Sequence, residues 1–312
     1  MKAFALASPG QFKMFEKDIP LPGDNEIQVK VKVCGVCSSE VAVWKDMDPS
    51  EPLFLGHEVS GEVSEIGKNV KRFKIGDRVT VLAEQGFAEY VCVHEERAVP
   101  LSDDTTYELG LGEPLACAMN ATKRTNVQIG DTVAIIGLGF MGQLILQGVK
   151  LKGAAKIIAI DTREEALELA TELGATHIIN AKEDVRQTIM EMTNHQGVDV
   201  VIEATGTQPA LDLATDIIKI RGSLIIYGYH QGPPRTINMQ QWNWKGLDVV
   251  NAHERDPNVY MEGMKLGIKL LEEGLINMSS LVTHIYPLEE VNKAFESNVS
   301  KPRGFFKAVV SL

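Results

Sequence analysis

A glycine-rich turn near the middle of the chain constrains the fold more than any other sequence feature. The segment Gly137-Leu138-Gly139-Phe140-Met141-Gly142 follows a short apolar run and opens an apolar helical pattern. Asp161 ends the next apolar run, 19 residues after Gly142. A strand, a Gly-x-Gly-x-x-Gly turn, a helix and an acidic strand end are typical of a dinucleotide-binding βαβ unit. The pattern therefore predicts a parallel sheet that binds a dinucleotide.

The residues of this turn have separate roles in holding a dinucleotide. Gly137 permits the tight turn, Gly139 lets the backbone approach the pyrophosphate, and Gly142 allows close packing of helix on strand. The helix begins near Phe140 and Met141, where free N–H groups and a partial positive charge favour the phosphates. The alternative is a glycine-rich turn without a ligand, which the surrounding βαβ pattern makes the weaker interpretation.

Asp161 favours NAD over NADP as the dinucleotide. A carboxylate at this position accepts hydrogen bonds from the adenosine ribose. It would repel a 2′-phosphate, because like charges would face each other at short range. Arg163 weakens this preference slightly, since its guanidinium could turn toward a phosphate.

Alternating strands and helices extend this pattern over residues 121–255. Predicted strands cover 133–136, 156–160, 177–179, 198–202, 224–227 and 247–251, and predicted helices cover 142–151, 163–173, 184–192 and 210–220. This alternation predicts a doubly wound parallel sheet.

The first 120 residues show short strands separated by turns instead. Predicted strands cover 26–33, 58–66, 78–82 and 88–93. Several short strands with frequent turns are typical of a small barrel. Residues 256–312 contain two further helical patterns and a final strand at 305–310, which could belong to either part.

The composition excludes several classes of protein. A chain of 312 residues with 44% hydrophobic residues is long enough for two domains and is not typical of disorder. The net charge of −11 argues against nucleic-acid and anionic membrane partners. Only five apolar residues follow Lys2, too few for a secretory signal, and four cysteines do not make a disulfide scaffold. We therefore expect a cytoplasmic protein.

A second group of chemically active residues lies in the first 120 residues. Cys37 follows a predicted strand, His57 and Glu58 are adjacent, and Glu113 lies near the start of the βα pattern. Thiolate, imidazole and carboxylate are zinc ligands, and three of them with an open position make a catalytic site. A lone cysteine is also often a small buried hydrophobe, and a His-Glu pair often lies on the surface as two polar side chains in water. Residue type and order alone leave both interpretations open.

The motifs around these residues resemble those of the zinc-containing alcohol dehydrogenases of the medium-chain dehydrogenase/reductase family. The matching segments are Cys34-Gly35-Val36-Cys37-x-Ser39, Gly56-His57-Glu58-x-x-Gly61-x5-Gly67-x-x-Val70, Gly76-Asp77-Arg78-Val79, Glu113-Pro114-Leu115 and the Gly-x-Gly-x-x-Gly turn. They occur in family order over essentially the whole chain. The resemblance implies an α/β protein with two domains: a GroES-like β-barrel catalytic domain (1–120 and 256–312) and a Rossmann doubly wound parallel-sheet domain (121–255).

The resemblance also implies roles for individual residues at the metal. Cys37 and His57 fall on the first two ligands of the catalytic zinc, and Glu113 falls on the third. Glu58 falls on the acid beside the zinc, which ligates directly in some members. Glu at position 113, where the liver-type enzymes have Cys, is similar to the sorbitol and polyol branch. Glu40 matches the acid that orients the zinc-bound imidazole.

Other residues fall on positions near substrate or cofactor. Ser39 matches the hydroxyl that contacts the reacting alcohol, and Cys117 matches a nicotinamide contact. Thr205 and Gly228 are expected in the cofactor site. Ala42 stands where many members have a relay histidine. The four-cysteine loop of many members is missing, so we expect one catalytic zinc and no structural zinc.

The resemblance therefore implies a zinc-dependent oxidoreductase that reversibly transfers a hydride from a secondary alcohol, such as a sugar or polyol, to NAD. A homodimer or homotetramer is expected. Tyr229 or His230 is a candidate for hydrogen bonds to a polar substrate. Trp44 either forms a wall of the pocket or belongs to the core.

Two alternative functions remain open. One is a zinc-free NAD(P)H-dependent quinone or enoyl reductase of the same superfamily, and the other is a non-catalytic NAD-binding protein.

Overall fold

The computed structural model describes residues 1–312, which divide into two compact units. The first unit comprises Met1–Ala116 and Met261–Leu312, and the second comprises Cys117–Tyr260. The sequence predicts boundaries after residues 120 and 255. The structural boundaries fall inside two helices, α2 (Gly112–Arg124) and α8 (Pro257–Glu272).

A six-stranded parallel sheet forms the centre of the second unit. Its strands are β9 (Thr132–Ile136), β10 (Lys156–Asp161), β11 (His177–Asn180), β12 (Val198–Glu203), β13 (Ile218–Ile226) and β14 (Asp248–Asn251). They lie in the order β11-β10-β9-β12-β13-β14, and all neighbours are parallel. The order reverses beside β9, and ligands of such sheets bind at the carboxyl ends of the strands near that reversal.

Five helices lie along the chain between these strands, where the sequence alternation predicts most of them. They are α3 (Phe140–Leu151), α4 (Glu164–Leu173), α5 (Val185–Met192), α6 (Gln208–Ile217) and α7 (Met239–Lys245). The predicted helix over 210–220 is wrong at its end, because residues 218–220 begin β13, where Ile218 is opposite Val198 of β12. The β-branched isoleucines at 218 and 220 favour this extended pairing.

The first unit is built mainly from antiparallel strands. They are β1 (Lys2–Ser8), β2 (Gln11–Glu16), β3 (Glu26–Gly35), β4 (Leu53–Phe54), β5 (Glu58–Ile66), β6 (Arg78–Leu82), β7 (Tyr90–His94), β8 (Ala98–Pro100), β15 (Val282–Pro287) and β16 (Lys307–Ser311). The larger sheet has the order β15-β16-β3-β5-β6-β8, and β7 also pairs with β3. The C-terminal strand β16 therefore lies beside β3.

Two helices of the first unit pack near these strands, α1 (Ser38–Asp46) and α9 (Val291–Ser300). Phe295 of α9 lies in an aromatic cluster, with ring centroids 4.9 Å from Phe12, 5.6 Å from Phe87 and 5.5 Å from Trp44. Trp44 is 6% exposed, so it belongs to the core, one of the two roles predicted for it. No helix in the protein combines the length and apolar character needed to cross a lipid bilayer.

Candidate functional site

Cys37, His57 and Glu58 form a compact group in the first unit. Cys37 directly precedes α1, while His57 directly precedes β5 and Glu58 is the first residue of that strand. Gly35 of β3 is opposite Glu58 in antiparallel register, so the end of β3 lies beside the start of β5. One ligand atom from each member of the group lies within 4.8 Å of the other two. This donor set of thiolate, imidazole and carboxylate fits a zinc ion.

Gly35 makes room for the carboxylate of Glu58. A Cβ atom at position 35 would lie 2.0 Å from Glu58 Oε2, so any larger residue there would force the carboxylate to move. The carboxylate packs against Gly35, and Glu58 is 1% exposed. The glycine in the Cys-Gly-Val-Cys segment is therefore explained by the acid that follows His57.

Glu40 fixes the orientation of the His57 ring. Its Oε1 atom lies 3.0 Å from His57 Nδ1 and accepts a hydrogen bond from the N–H of Gly56 at 2.8 Å. With Nδ1 engaged, Nε2 is the ring nitrogen left for a metal ion. Glu40 therefore lies where the resemblance implies an imidazole-orienting acid.

The electrostatics of His57 link metal binding to pH. Burial alone would lower the pKa of His57, but its interactions with Cys37 and Glu40 raise that pKa to about 12. The imidazole is therefore protonated at neutral pH when no metal is bound. A metal ion must displace this proton, so metal affinity at this site increases as the pH rises.

Lys307 supplies a buried positive charge beside the group. Its Nζ atom lies 2.6 Å from both carboxylate oxygens of Glu58, and the Lys307 side chain is 5% exposed. Burial opposes the charge of Lys307, but the negative charges of Glu58, Cys37 and Glu113 raise its pKa above the ordinary value. Lys307 is the first residue of β16, 249 positions after Glu58. Sequence reasoning missed it, because nothing near Lys307 in the sequence marks its partner.

Two further predicted residues lie close to this group. Ser39 Oγ donates a hydrogen bond to Cys37 Sγ at 3.1 Å. Glu113 is in the first turn of α2 and acts electrostatically on Lys307, but it is not part of the compact group of three. Its role as a third zinc ligand stays a prediction. Cys34 is fully buried and packs in the hydrophobic core of the first unit.

The three glycines of the turn in the second unit differ in their surroundings. Gly137 has φ +95°, a conformation that favours glycine, and a Cβ atom at Gly142 would lie 1.9 Å from the carbonyl oxygen of Gly137. A Cβ atom at Gly139 would meet nothing within 4 Å. Packing within the protein therefore explains the first and third glycines, whereas the second faces open space at the N-terminus of α3. Phosphate groups bind at such helix ends.

Asp161 lies beside this turn at the end of β10. Its Oδ2 atom accepts a hydrogen bond from the N–H of Leu138 at 2.7 Å. Its Oδ1 atom accepts from the main-chain N–H of Arg163 at 3.0 Å and from Arg163 Nε at 3.3 Å. The carboxylate therefore fixes the turn and holds the guanidinium of Arg163 at the same place.

Two more loops approach the turn at the carboxyl ends of the strands. A Cβ atom at Gly137 would lie 2.5 Å from Thr205 Cγ2, and the N–H of Gly228 donates to the carbonyl of Glu203 at 2.7 Å. The structure thus places Gly137, Thr205 and Gly228 on neighbouring loops. Cys117 Sγ lies 3.0 Å from the hydroxyl of Tyr260. The nicotinamide contact of Cys117 stays a prediction.

Glu203 is a buried carboxylate at this edge that the sequence analysis did not identify. It is 0% exposed and accepts hydrogen bonds from the N–H groups of Thr205 and Gly206 at 2.7 and 3.0 Å. His230 Nε2 lies 2.9 Å from Glu203 Oε2, while Arg235 Nε donates to His230 Nδ1 at 3.2 Å. Both ring nitrogens of His230 are therefore engaged within the protein, and this conformation leaves none for a substrate.

Comparison with known proteins shows the family to which the chain belongs. The alcohol dehydrogenase GroES-like domain model matches residues 23–103, and the zinc-binding dehydrogenase model matches residues 141–268. Sorbitol dehydrogenase of Halalkalibacterium halodurans is 31% identical over 92% of this chain and 92% of its own length. D-arabitol-phosphate dehydrogenase of Enterococcus avium is 30% identical over 95% of this chain and 94% of its own.

The chain belongs to the zinc-type medium-chain alcohol dehydrogenases. A solved structure of a proposed zinc-binding dehydrogenase from Sinorhizobium meliloti 1021, bound to NADP, has a TM-score of 0.89 and 28% identity, and the match covers 100% of this chain and 99% of that one. The predicted GroES-like and Rossmann-type architecture is therefore confirmed. Membership of this oxidoreductase family supports zinc and a nicotinamide cofactor.

The buried pair of Glu58 and Lys307 yields a testable prediction. In this medium-chain dehydrogenase, Lys307→Met leaves a buried carboxylate without its cation. We expect a loss of about 3–5 kcal/mol in the free energy of unfolding of the metal-free protein. Zinc should restore part of that loss, because the ion supplies positive charge to the same carboxylate. Urea denaturation with a chelator and with added zinc measures both effects.

Lys2→Met is the matched control for this experiment. Lys2 pairs with Glu289 on the surface, where the two side chains are 53% and 62% exposed. Exposed ion pairs contribute little to stability, because water and salt screen them. If Lys307→Met and Lys2→Met have the same free energy of unfolding in the presence of chelator, the buried pair of Glu58 and Lys307 does not stabilise the metal-free protein as expected.

Proposed function

We propose that this chain is a dehydrogenase that uses one zinc ion and NAD to oxidise a secondary alcohol reversibly, with a polyol as its substrate. The compact group of Cys37, His57 and Glu58 carries the proposal, because a zinc-free reductase or a non-catalytic protein has no need of it. The names of the sorbitol and D-arabitol-phosphate relatives support a polyol substrate. The family resemblance also leads us to propose a homodimer or homotetramer in the cytoplasm.

The proposed metal ligands are Cys37, His57 and Glu58, with Glu113 as a further candidate. A zinc ion there would supply Lewis-acid chemistry that lowers the pKa of a bound hydroxyl, and the nicotinamide would supply the hydride acceptor. Glu40 holds the imidazole in the orientation that presents Nε2. Lys307 balances the negative charge that the ligands bring together.

Ser39 is the proposed acceptor of the alcohol proton. Its hydroxyl lies 3.1 Å from Cys37 Sγ, so it is next to the place where a hydroxyl substrate would bind. The serine oxygen accepts the proton of the substrate hydroxyl and gives up its own proton in the same step. Ala42, further along α1, has no group that could carry a proton, but it is exposed. We therefore propose that the proton released by Ser39 passes to water.

NAD is the proposed cofactor because of the charge at the end of β10. Asp161 places a carboxylate beside the glycine turn, where the adenosine ribose is expected. The side chain of Arg163 is engaged with that same carboxylate at 3.3 Å. A 2′-phosphate would have to displace this ion pair and approach the negative charge of Asp161.

The activity is tested by assaying the purified protein with free polyols, polyol phosphates and vicinal diols, using NAD and NADP. We expect about one zinc per chain and formation of NADH, detected by the near-ultraviolet absorbance of the reduced nicotinamide. Cys37→Ala and His57→Ala should lose both zinc and activity. Cys92→Ala removes a thiol that contacts Pro20 instead of the metal group, and it should keep both. Absence of zinc from the wild-type protein, or activity in the two ligand variants, would contradict the proposal.

The choice of cofactor is tested with Asp161→Ser. This change removes the repulsive carboxylate and releases the side chain of Arg163, so we expect the ratio of kcat/KM for NAD to that for NADP to fall at least about tenfold, or about 1.4 kcal/mol. The control is Glu168→Gln, which removes one exposed charge from α4 without altering the turn. An unchanged ratio in Asp161→Ser would contradict the role of Asp161.

A further inference from the structure

Asn298 is a buried amide near the end of α9, and its hydrogen bonds lie on either side of Cys37. Its Nδ2 atom donates to the carbonyl of Val36 at 3.3 Å, and its Oδ1 atom accepts from Ser38 Oγ at 3.0 Å. Val36 and Ser38 directly precede and follow Cys37. One side chain from the C-terminal segment therefore holds both neighbours of a proposed metal ligand.

The local structure of Cys37 does not fix its thiol by itself. Cys37 has φ −93° and ψ 135° and occupies the capping position before α1, but its side chain makes no capping hydrogen bond. Side chains at this position usually accept a hydrogen bond from the first turn of the helix. Apart from the hydrogen bond from Ser39 Oγ to Cys37 Sγ, the direction of the thiol therefore depends on how the flanking residues are held. The N–H of Val36 donates to Ala308 of β16, and its carbonyl is held by Asn298.

We propose that Asn298 is a positioning residue that holds Cys37 in the geometry required for metal binding. Other inward positions of α9 are apolar, as Val291, Ala294 and Phe295 show, whereas Asn298 is 5% exposed. A buried amide costs free energy unless its donor and its acceptor are both satisfied. Here both bonds go to the residues that flank Cys37. This inference rests on the proposed metal site.

The same helix provides a matched control. Asn292 Oδ1 accepts from the N–H of Phe12 at 2.8 Å, and its Nδ2 donates to the carbonyl of Phe12 at 3.0 Å. Asn292 therefore makes the same number of hydrogen bonds and also links α9 to a distant strand. That strand, β2, contributes no residue to the metal group. A general effect on stability should appear in both variants, whereas an effect on the thiol should appear only at Asn298.

The test is a Co²⁺ titration of the metal-free full-length protein, because cobalt bound to a thiolate gives a charge-transfer absorbance in the near ultraviolet. For Asn298→Ala we expect about 10–100-fold weaker Co²⁺ binding than in the wild type, with a shifted or weakened thiolate band. Asn292→Ala should bind Co²⁺ like the wild type, even if its melting temperature falls as much. Ser38→Ala removes only the hydroxyl donor from an exposed residue and should weaken Co²⁺ binding severalfold, so it serves as the second variant should Asn298→Ala not fold.

The possible failures of this test are distinguishable. If the wild type gives no thiolate band with Co²⁺, Cys37 is not a metal ligand, and the proposed role of Asn298 fails together with the proposed metal site. If the wild type gives the band and Asn298→Ala binds with unchanged affinity and spectrum, only the positioning role is overturned. Equal loss of Co²⁺ affinity in Asn298→Ala and Asn292→Ala would likewise overturn it, as would an unchanged Ser38→Ala.

Discussion

Charge balance around a buried carboxylate is the constraint on which the proposed metal site depends. Glu58 is almost completely buried. Cys37 and Glu113 also interact electrostatically with its partner Lys307. Without compensation, such a concentration of negative charge would be too costly to bury. Lys307 provides one positive charge, and the protonated imidazole of His57 provides another when no metal is bound. A bound divalent cation would replace the proton of His57 as the second source of positive charge.

The parts of this arrangement come from distant regions of the sequence. Cys37, His57 and Glu58 lie within the first 60 residues, whereas Lys307 and Asn298 belong to the last 52, the segment Met261–Leu312. Strand β16 brings them together, because it pairs directly with β3. Contacts of such long sequence separation carry an entropic cost of loop closure. The geometry of the metal group therefore requires the C-terminal strand to be in place.

The sequence predicts those features that a local pattern encodes. The turn from Gly137 to Gly142 follows from residue spacing, and the strands of the second unit follow from short apolar runs, although β13 begins six residues before the predicted strand. Strands β1, β2, β4, β8 and β15 were not predicted. Cys37, His57 and Glu58 could be assigned together only through the family resemblance, since each has a simpler interpretation alone. Lys307 and Glu203 could not be predicted, because their partners are set by strand register and loop packing. At residue 218 the competition between helix and strand was decided by tertiary pairing with β12.

In the proposed site, one zinc ion is bound by a thiolate together with nitrogen and oxygen donors. X-ray absorption at the zinc edge, measured on the purified wild-type protein, detects these donors. We expect a four-coordinate ion with one sulfur at about 2.3 Å and the remaining nitrogen and oxygen donors at about 2.0–2.2 Å. A spectrum without sulfur, with several sulfurs, or with six oxygen neighbours would contradict it.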